Sequence, residues 1–345
     1  MNQDETLNPG TTPIPAEPIA PAPPPVLRKI FIGRDGLRAG WSLLVFIAIL
    51  AVILFAAHWI SRRIHAQAPN IEEIASNMPI KLALLNEAIP FLAVLLVTWI
   101  MSKIEHRPNS VYGLGGSRKV AHFFAGLTWG VVCLSLLVLT LWKTGLLVID
   151  SRLLFGGDIF RYGAIWLVGF LLVGLFEEYL TRGYIQYTLT RGLAGLHRWA
   201  FKTHPSMTRH GEAFGFWTSA VIFSFLFGLG HGKNPGESPI GLLSAGLAAM
   251  VFCLSLWRTG SLWWAIGFHA AWDWSQSFLY GVADSGMIIQ HRFLATHPVG
   301  RAVLSGGATG PEGSIYILTV FALVVLIIVL TLKRAHYGDT LERST

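Results

Sequence analysis

Leu175-Phe-Glu-Glu-Tyr-Leu-Thr-Arg-Gly-Tyr-Ile-Gln186 follows a long apolar run, Ile165-Trp-Leu-Val-Gly-Phe-Leu-Leu-Val-Gly-Leu-Phe176, and sets two adjacent carboxylates at its end. Only a helix satisfies the backbone of such a segment in lipid. A carboxylate at that depth costs several kcal/mol unless it is paired, neutral or turned toward a watery cavity. Arg182 follows Glu178 by four residues, so those two can meet on one helical face. Glu177 points about 100° away and lacks that partner. One carboxylate held by Arg and one free to act as a base is a division of labour that hydrolysis could use.

The rest of the composition agrees with a membrane setting. The chain has 345 residues, 53% hydrophobic and only 13% charged, far more apolar than a soluble domain. Apolar runs of about twenty residues recur along it, so the expected class is all-α: a polytopic helical bundle. Cys133 and Cys253 both fall inside apolar runs and form neither a disulfide framework nor a metal knuckle. The formal charge of +7 does not point to nucleic acid, because the basic residues sit between spans, where they set topology and meet lipid headgroups.

Residues 1–26 form a Pro/Ala-rich tail with nothing to build a core from, expected to be extended and disordered. It lacks the basic and apolar regions of a cleavable signal. A transmembrane domain is expected over 27–336 and a short tail over 337–345. Eight spans are predicted, near Trp41–Ile60, Leu82–Met101, Phe123–Trp142, Gly163–Gln186, Phe214–Gly230, Ile240–Trp257, Leu262–Tyr280 and Ile315–Leu332. The last has no polar group stronger than Thr and reads as a lipid-facing anchor. With eight spans, Lys and Arg divide 16 against 9 between the two sides, which places both termini in the cytoplasm. The chain reads as a multi-pass protein of a bacterial cytoplasmic membrane.

Further ionisable residues mark the spans. Phe227 and His231 are four apart and share a face, flanked by Gly228, Gly230 and Gly232, which would admit a neighbouring helix. His269 and Asp273 are again four apart, among Trp263, Trp264, Trp272 and Trp274, which read as packing and interface anchors. Glu177, His231, His269 and Asp273 thus come from three spans, and their convergence would make an interior polar site. The alternatives are an interfacial His231 and a His–Asp pair that merely locks helices together. Asn86 and Glu87 could join the site or lie at the surface. Tyr187, Thr190 and His197 suit a wet cytoplasmic end and need no role. No His-Glu-x-x-His, Walker A loop or Gly-x-Ser-x-Gly elbow is present.

In this order on successive spans, Glu177-Glu178-x-x-x-Arg182, Phe227-x-x-x-His231 and His269-x-x-x-Asp273 resemble the motifs of the CPBP intramembrane proteases. That family comprises the type II CAAX prenyl endopeptidases and bacterial relatives of bacteriocin-immunity and lysostaphin-resistance factors. The resemblance covers about residues 160–275. It implies that Glu177, with His231, activates a water for attack on a peptide carbonyl, and that His269 helps hold the oxyanion. Glu178 and Arg182 would support the site and Phe227 would shape it. The prenyl endopeptidases carry Asn where this chain has Asp273, whereas many bacterial relatives also carry Asp there. An ionised Asp cannot donate to an oxyanion, so Asp273 is expected to accept from His269 and orient it. A metal-free mechanism is expected; the alternative is Zn2+ on Glu177, His231 and His269.

The expected activity is intramembrane endopeptidase, acting on a peptide or protein at or in the bilayer. A non-catalytic scaffold or immunity-type factor with the same fold is the rival. A proton-coupled transporter is a third reading, weakened by the lack of an inverted repeat. One tension stands: Glu177 falls toward the cytoplasmic end of its span, whereas His231 falls near the far end of the next.

Overall fold

The computed structural model describes residues 30–33, 36–64 and 77–333. The predicted tails over 1–26 and 337–345, with Arg28, Lys29 and Arg34, lie outside the described residues. The architecture is helical: α1 (Ala39–Ile64), α2 (Ile80–Ile104), α3 (Lys119–Lys143), α4 (Gly157–Glu178) and α5 (Gln186–Ala200), then α6 (Gly211–Gly230), α7 (Pro239–Thr259), α8 (Trp263–Asp273) and α9 (Ile317–Thr331). Besides a two-residue hairpin pairing Ile32–Gly33 with Gly36–Leu37, one small antiparallel sheet pairs β1 (Leu147–Arg152) with β2 (Leu294–Pro298).

Among the described residues six helices are long and apolar enough to cross a membrane. The chain is an integral, multi-pass membrane protein. All eight predicted segments are helical, but two fall short of the span criterion. The seventh is eleven residues of α-helix in α8 continued by a π-helical turn, Trp274–Leu279. Almost all of α8 is buried, so it is a central strut rather than a lipid-facing span. The eighth, α9, has fifteen residues. Only one face of it is exposed as a lipid-facing anchor would be; the other is packed into the protein. Ile317, Val320, Phe321, Val324, Ile327 and Ile328 are buried, while Leu318, Val325, Leu326, Val329 and Leu330 are exposed. An all-apolar helix carries no sign of which face will be covered.

The decisive departure from the expected spans concerns α4. A π-helical turn over Tyr179–Ile185 joins it to α5 without a break, giving one 44-residue helix from Gly157 to Ala200. At about 1.5 Å per residue that is roughly 66 Å, about twice the hydrocarbon thickness. The polar stretch after Gln186, expected as loop, is therefore helix, and α6 packs back along it. Thr190 Oγ1 and Ser219 Oγ meet at 2.7 Å, and a Cβ on Gly215 would collide with the Thr190 carbonyl. Tyr187 and Thr190 are consequently buried rather than wet.

The core forms around α8 and α3. Glycines bring these two helices to backbone contact: a Cβ on Gly267 would run into the Phe123 carbonyl, and one on Gly126 into that of Trp264. Trp264, Phe268 and Trp272 stack in succession and reach Phe252 and Phe321. Trp264 and Trp272 are thus packing residues and not interface anchors. A second cluster surrounds Glu105, which accepts from Tyr112 Oη at 3.1 Å and Tyr184 Oη at 2.9 Å. Arg191 and Arg107 stand 3.6 and 3.9 Å from its carboxylate. Those two arginines, expected as topology determinants, also tie α2 to α5 inside the protein.

Candidate active site

The site is built from α4, the end of α6, and α8. Glu178 is fully buried and accepts from Arg182 Nη1 at 2.7 Å, one helical turn later. The Arg182 guanidinium lies 4.5 Å above the Phe227 ring, and a desolvated cation–π contact of that kind contributes up to about 2 kcal/mol. Phe227 in turn lies 4.7 Å from the His231 ring. Buried carboxylate, guanidinium, aromatic face and imidazole follow one another from α4 to α6.

His231 begins a short 3-10 turn, His231–Lys233, that ends α6. Its Nδ1 lies 2.8 Å from the Phe227 carbonyl. A carbonyl only accepts, so Nδ1 carries the proton there and the neutral ring keeps a lone pair on Nε2. The neighbouring glycines are not equivalent. Gly228 lets the Leu242 carbonyl approach, Gly232 is only in ordinary contact with Leu242, and Gly230 faces open space.

His269 occupies the centre. Its Nδ1 is 3.0 Å from Glu178 Oε1, and its Nε2 is 3.4 Å from Asp273 Oδ2 and 3.8 Å from Glu177 Oε2. The firm orienting bond therefore comes from Glu178, which Arg182 already holds; the Asp273 contact is longer. Glu177 keeps about a quarter of its side chain exposed. Its expected partner, His231, is reached across the cleft and not by a hydrogen bond.

Glu177, Phe227, His231, His269 and Asp273 line one cleft of about 570 Å³. The helix register explains how. Twelve residues past Ser219 lies His231, and twelve before Thr190 lies Glu178, so the antiparallel pair brings both to one height. The long α4–α5 helix removes the tension that separate spans created. Glu178 and Arg182 stand behind the wall. Glu87, from α2, also lines the cleft, whereas Asn86 lines only a smaller apolar side pocket next to it.

Among the described residues no three His, Cys, Asp or Glu side chains are grouped to hold a metal ion, including the alternative set Glu177, His231 and His269.

Sequence reasoning missed the segment Gly281–Met287. Asp284 and Ser285 line the cleft. Asp284 Oδ2 accepts from Ser277 Oγ at 3.0 Å, and Glu312 Oε1 accepts from Ser285 N and Ser285 Oγ. Burial pushes the Asp284 carboxyl well above the usual carboxylate range, and the nearby Asp273 and Glu312 push the same way. Burial also raises Glu312, against the hydrogen bonds from Ser285 and Gln276. In sequence Ala283-Asp-Ser-Gly286 reads as an ordinary polar turn, and no spacing signal sets it apart.

Residues 160–275 match the family described as type II CAAX prenyl endopeptidase Rce1-like. The match is consistent with the CPBP resemblance and spans all three motifs, from Glu177 to Asp273. The Rce1-like family is one of CAAX proteases, which supports a peptidase. Neither the curated proteins nor the solved structures gave a match.

Proposed function

We propose that this protein is an intramembrane endopeptidase that hydrolyses a peptide bond with a water activated by Glu177. The supporting observation is the single cleft that Glu177, His231 and His269 share from three separate helices. Glu177, partly exposed to the cleft and 3.8 Å from His269 Nε2, beyond hydrogen-bond distance, takes the proton from the attacking water. His231, its Nδ1 committed to Phe227, offers Nε2 to position that water. His269 is fixed through Nδ1 by Glu178, and its Nε2–H makes only the longer contact to Asp273. That bond can be exchanged for the developing oxyanion, whose stabilisation by fixed donors is a large part of amide hydrolysis. Asp273 keeps the ring aligned, and Phe227 covers the Arg182 cation behind the site. The substrate is a peptide or protein presented at or within the bilayer, and both termini face the cytoplasm.

The test is Glu177→Gln, which preserves shape and removes basicity. Full-length protein in vesicles is assayed against a library of internally quenched peptides. The variant should insert and melt like the wild type and lose about 10²- to 10⁴-fold in kcat. Undiminished cleavage by the variant, or a wild type that cleaves nothing while binding a partner, would favour the scaffold reading.

A further inference from the structure

Glu177 can deprotonate the water, but the amine released when the C–N bond breaks also needs a proton. Among the motif residues Glu178 is sealed by Arg182, His269 faces the oxyanion, Asp273 accepts from His269, and Glu177 and His231 are engaged with the attacking water. Asp284 lines the same cleft from the loop after α8, outside residues 160–275.

That loop is held firmly. Asp284 N donates to the Met287 carbonyl at 2.9 Å, Met287 N returns to the Asp284 carbonyl at 2.8 Å, and Gly286 N donates to the Thr309 carbonyl at 3.0 Å. A Cβ on Gly286 would collide with the Pro235 carbonyl, so the loop packs directly against the segment that follows His231. Ser277 Oγ fixes the Asp284 carboxyl, and Glu312 clamps the next residue.

We infer that Asp284 is the proton donor to the leaving amine, a second carboxyl acting opposite Glu177. This rests on the peptidase reading of the cleft. Water oxygen bonds to the carbonyl carbon as Glu177 takes one of its protons. The tetrahedral intermediate then collapses, the C–N bond breaks, and the Asp284 O–H proton passes to nitrogen. Glu177 is left protonated and Asp284 ionised, and one proton returned through the cleft resets both. The net change is peptide plus water to carboxylic acid plus amine. Burial, which holds the proton on Asp284, supplies the needed starting state. Pairs of carboxyls set apart by environment divide acid and base roles in this way. The other titratable groups facing it are Asp273 and His269 on α8, Glu312, Glu87 on α2, Glu177 and His231.

The experiment compares two substrates sharing one acyl part: a cleavable peptide, and its p-nitrophenyl ester, whose leaving group departs without protonation. Asp284→Asn should lower kcat on the peptide by about 10²- to 10⁴-fold and on the ester by less than about tenfold. It should also abolish the alkaline limb of the peptide pH profile. Glu177→Gln should lose both substrates. Asp284→Glu, which keeps the proton, should hold the ester-to-peptide ratio within about tenfold of wild type even if the Asn variant misfolds. A folded Asn variant that loses both substrates equally or neither, a Glu variant with a ratio outside that limit, or a selective loss in Glu87→Gln overturns the assignment to Asp284. A Glu177→Gln variant active on both substrates would instead remove the peptidase reading itself.

Discussion

Thr190 Oγ1 lies 2.7 Å from Ser219 Oγ, and this buried contact fixes how far α6 slides along α5, and with it the height of His231. The pair is remote from the chemistry but governs it through helix register. Thr190→Val removes one partner, while Ser219 can still donate to the Phe216 carbonyl. The expected stability loss is about 1 kcal/mol. Peptidase activity should fall further than that loss accounts for, checked by comparing kcat with the melting temperature.

Glu178 joins Arg182 and His269, so removing it damages two things at once. Glu178→Gln should cost about 3–5 kcal/mol, because it leaves a guanidinium buried without its counter-ion. Replacing Glu178 and Arg182 together by Leu should be milder in stability but equally inactive, since His269 loses its anchor in both. Denaturant titration in mild detergent separates the two cases. Equal destabilisation by the single and double variants would sink this account.

Asp273→Asn should be tolerated. The Asn carbonyl can accept from His269 Nε2, and its amide gains a donor for the oxyanion. Activity within about tenfold of wild type is expected, and an inactive but well-folded variant would show that the charge itself is needed.

Glu312 predicts a pH dependence of stability. Its folded value is raised by burial, so the folded state holds the proton more tightly than the unfolded chain does. That contribution is fully present below the ordinary carboxylate range and is lost as pH rises through the folded value. The coupled Asp284 acts in the same direction. The melting temperature should therefore decline with rising pH above that range, and Glu312→Gln should flatten the decline. A wild type that becomes more stable over the same interval contradicts the assignment.

The basic-residue count predicts that the loop between Phe201 and His210 faces the cytoplasm. The β1–β2 end, at the opposite end of the 44-residue helix, should face outward. Single cysteines at Thr203 and Val299 in a variant lacking Cys133 and Cys253 should react with membrane-impermeant reagent from opposite sides. Labelling of both from one side would refute this orientation.

The motif residues were legible because an ionisable group inside an apolar run is expensive and so conspicuous. The doublet Glu177-Glu178 and the four-residue spacings to Arg182, His231 and Asp273 followed from helical geometry alone. The placement of α8 was not legible, since Trp263–Asp273 is as apolar as a lipid-facing helix and only packing distinguishes the two. The continuation through Gln186 was hidden because polar residues there read as loop, although α6 covers them. Asp284 stayed invisible because a turn aspartate signals nothing until the loop is folded over a cleft.

Two of the cleft's helices run at once into a π-helical turn: Tyr179–Ile185 after Glu178, and Trp274–Leu279 after Asp273. A π turn is an α-helix carrying one residue too many, and it persists only where something compensates the poorer backbone geometry. Winding Tyr179–Ile185 as ideal α-helix at the same length would instead rotate α5 by about 100° relative to α4. Thr190 would then turn away from Ser219, and α6 would dock in another register. The π turn, which looks like a local defect, thus absorbs one residue and keeps two distant surfaces in phase, and an ideal helix of the same length would draw the cleft apart.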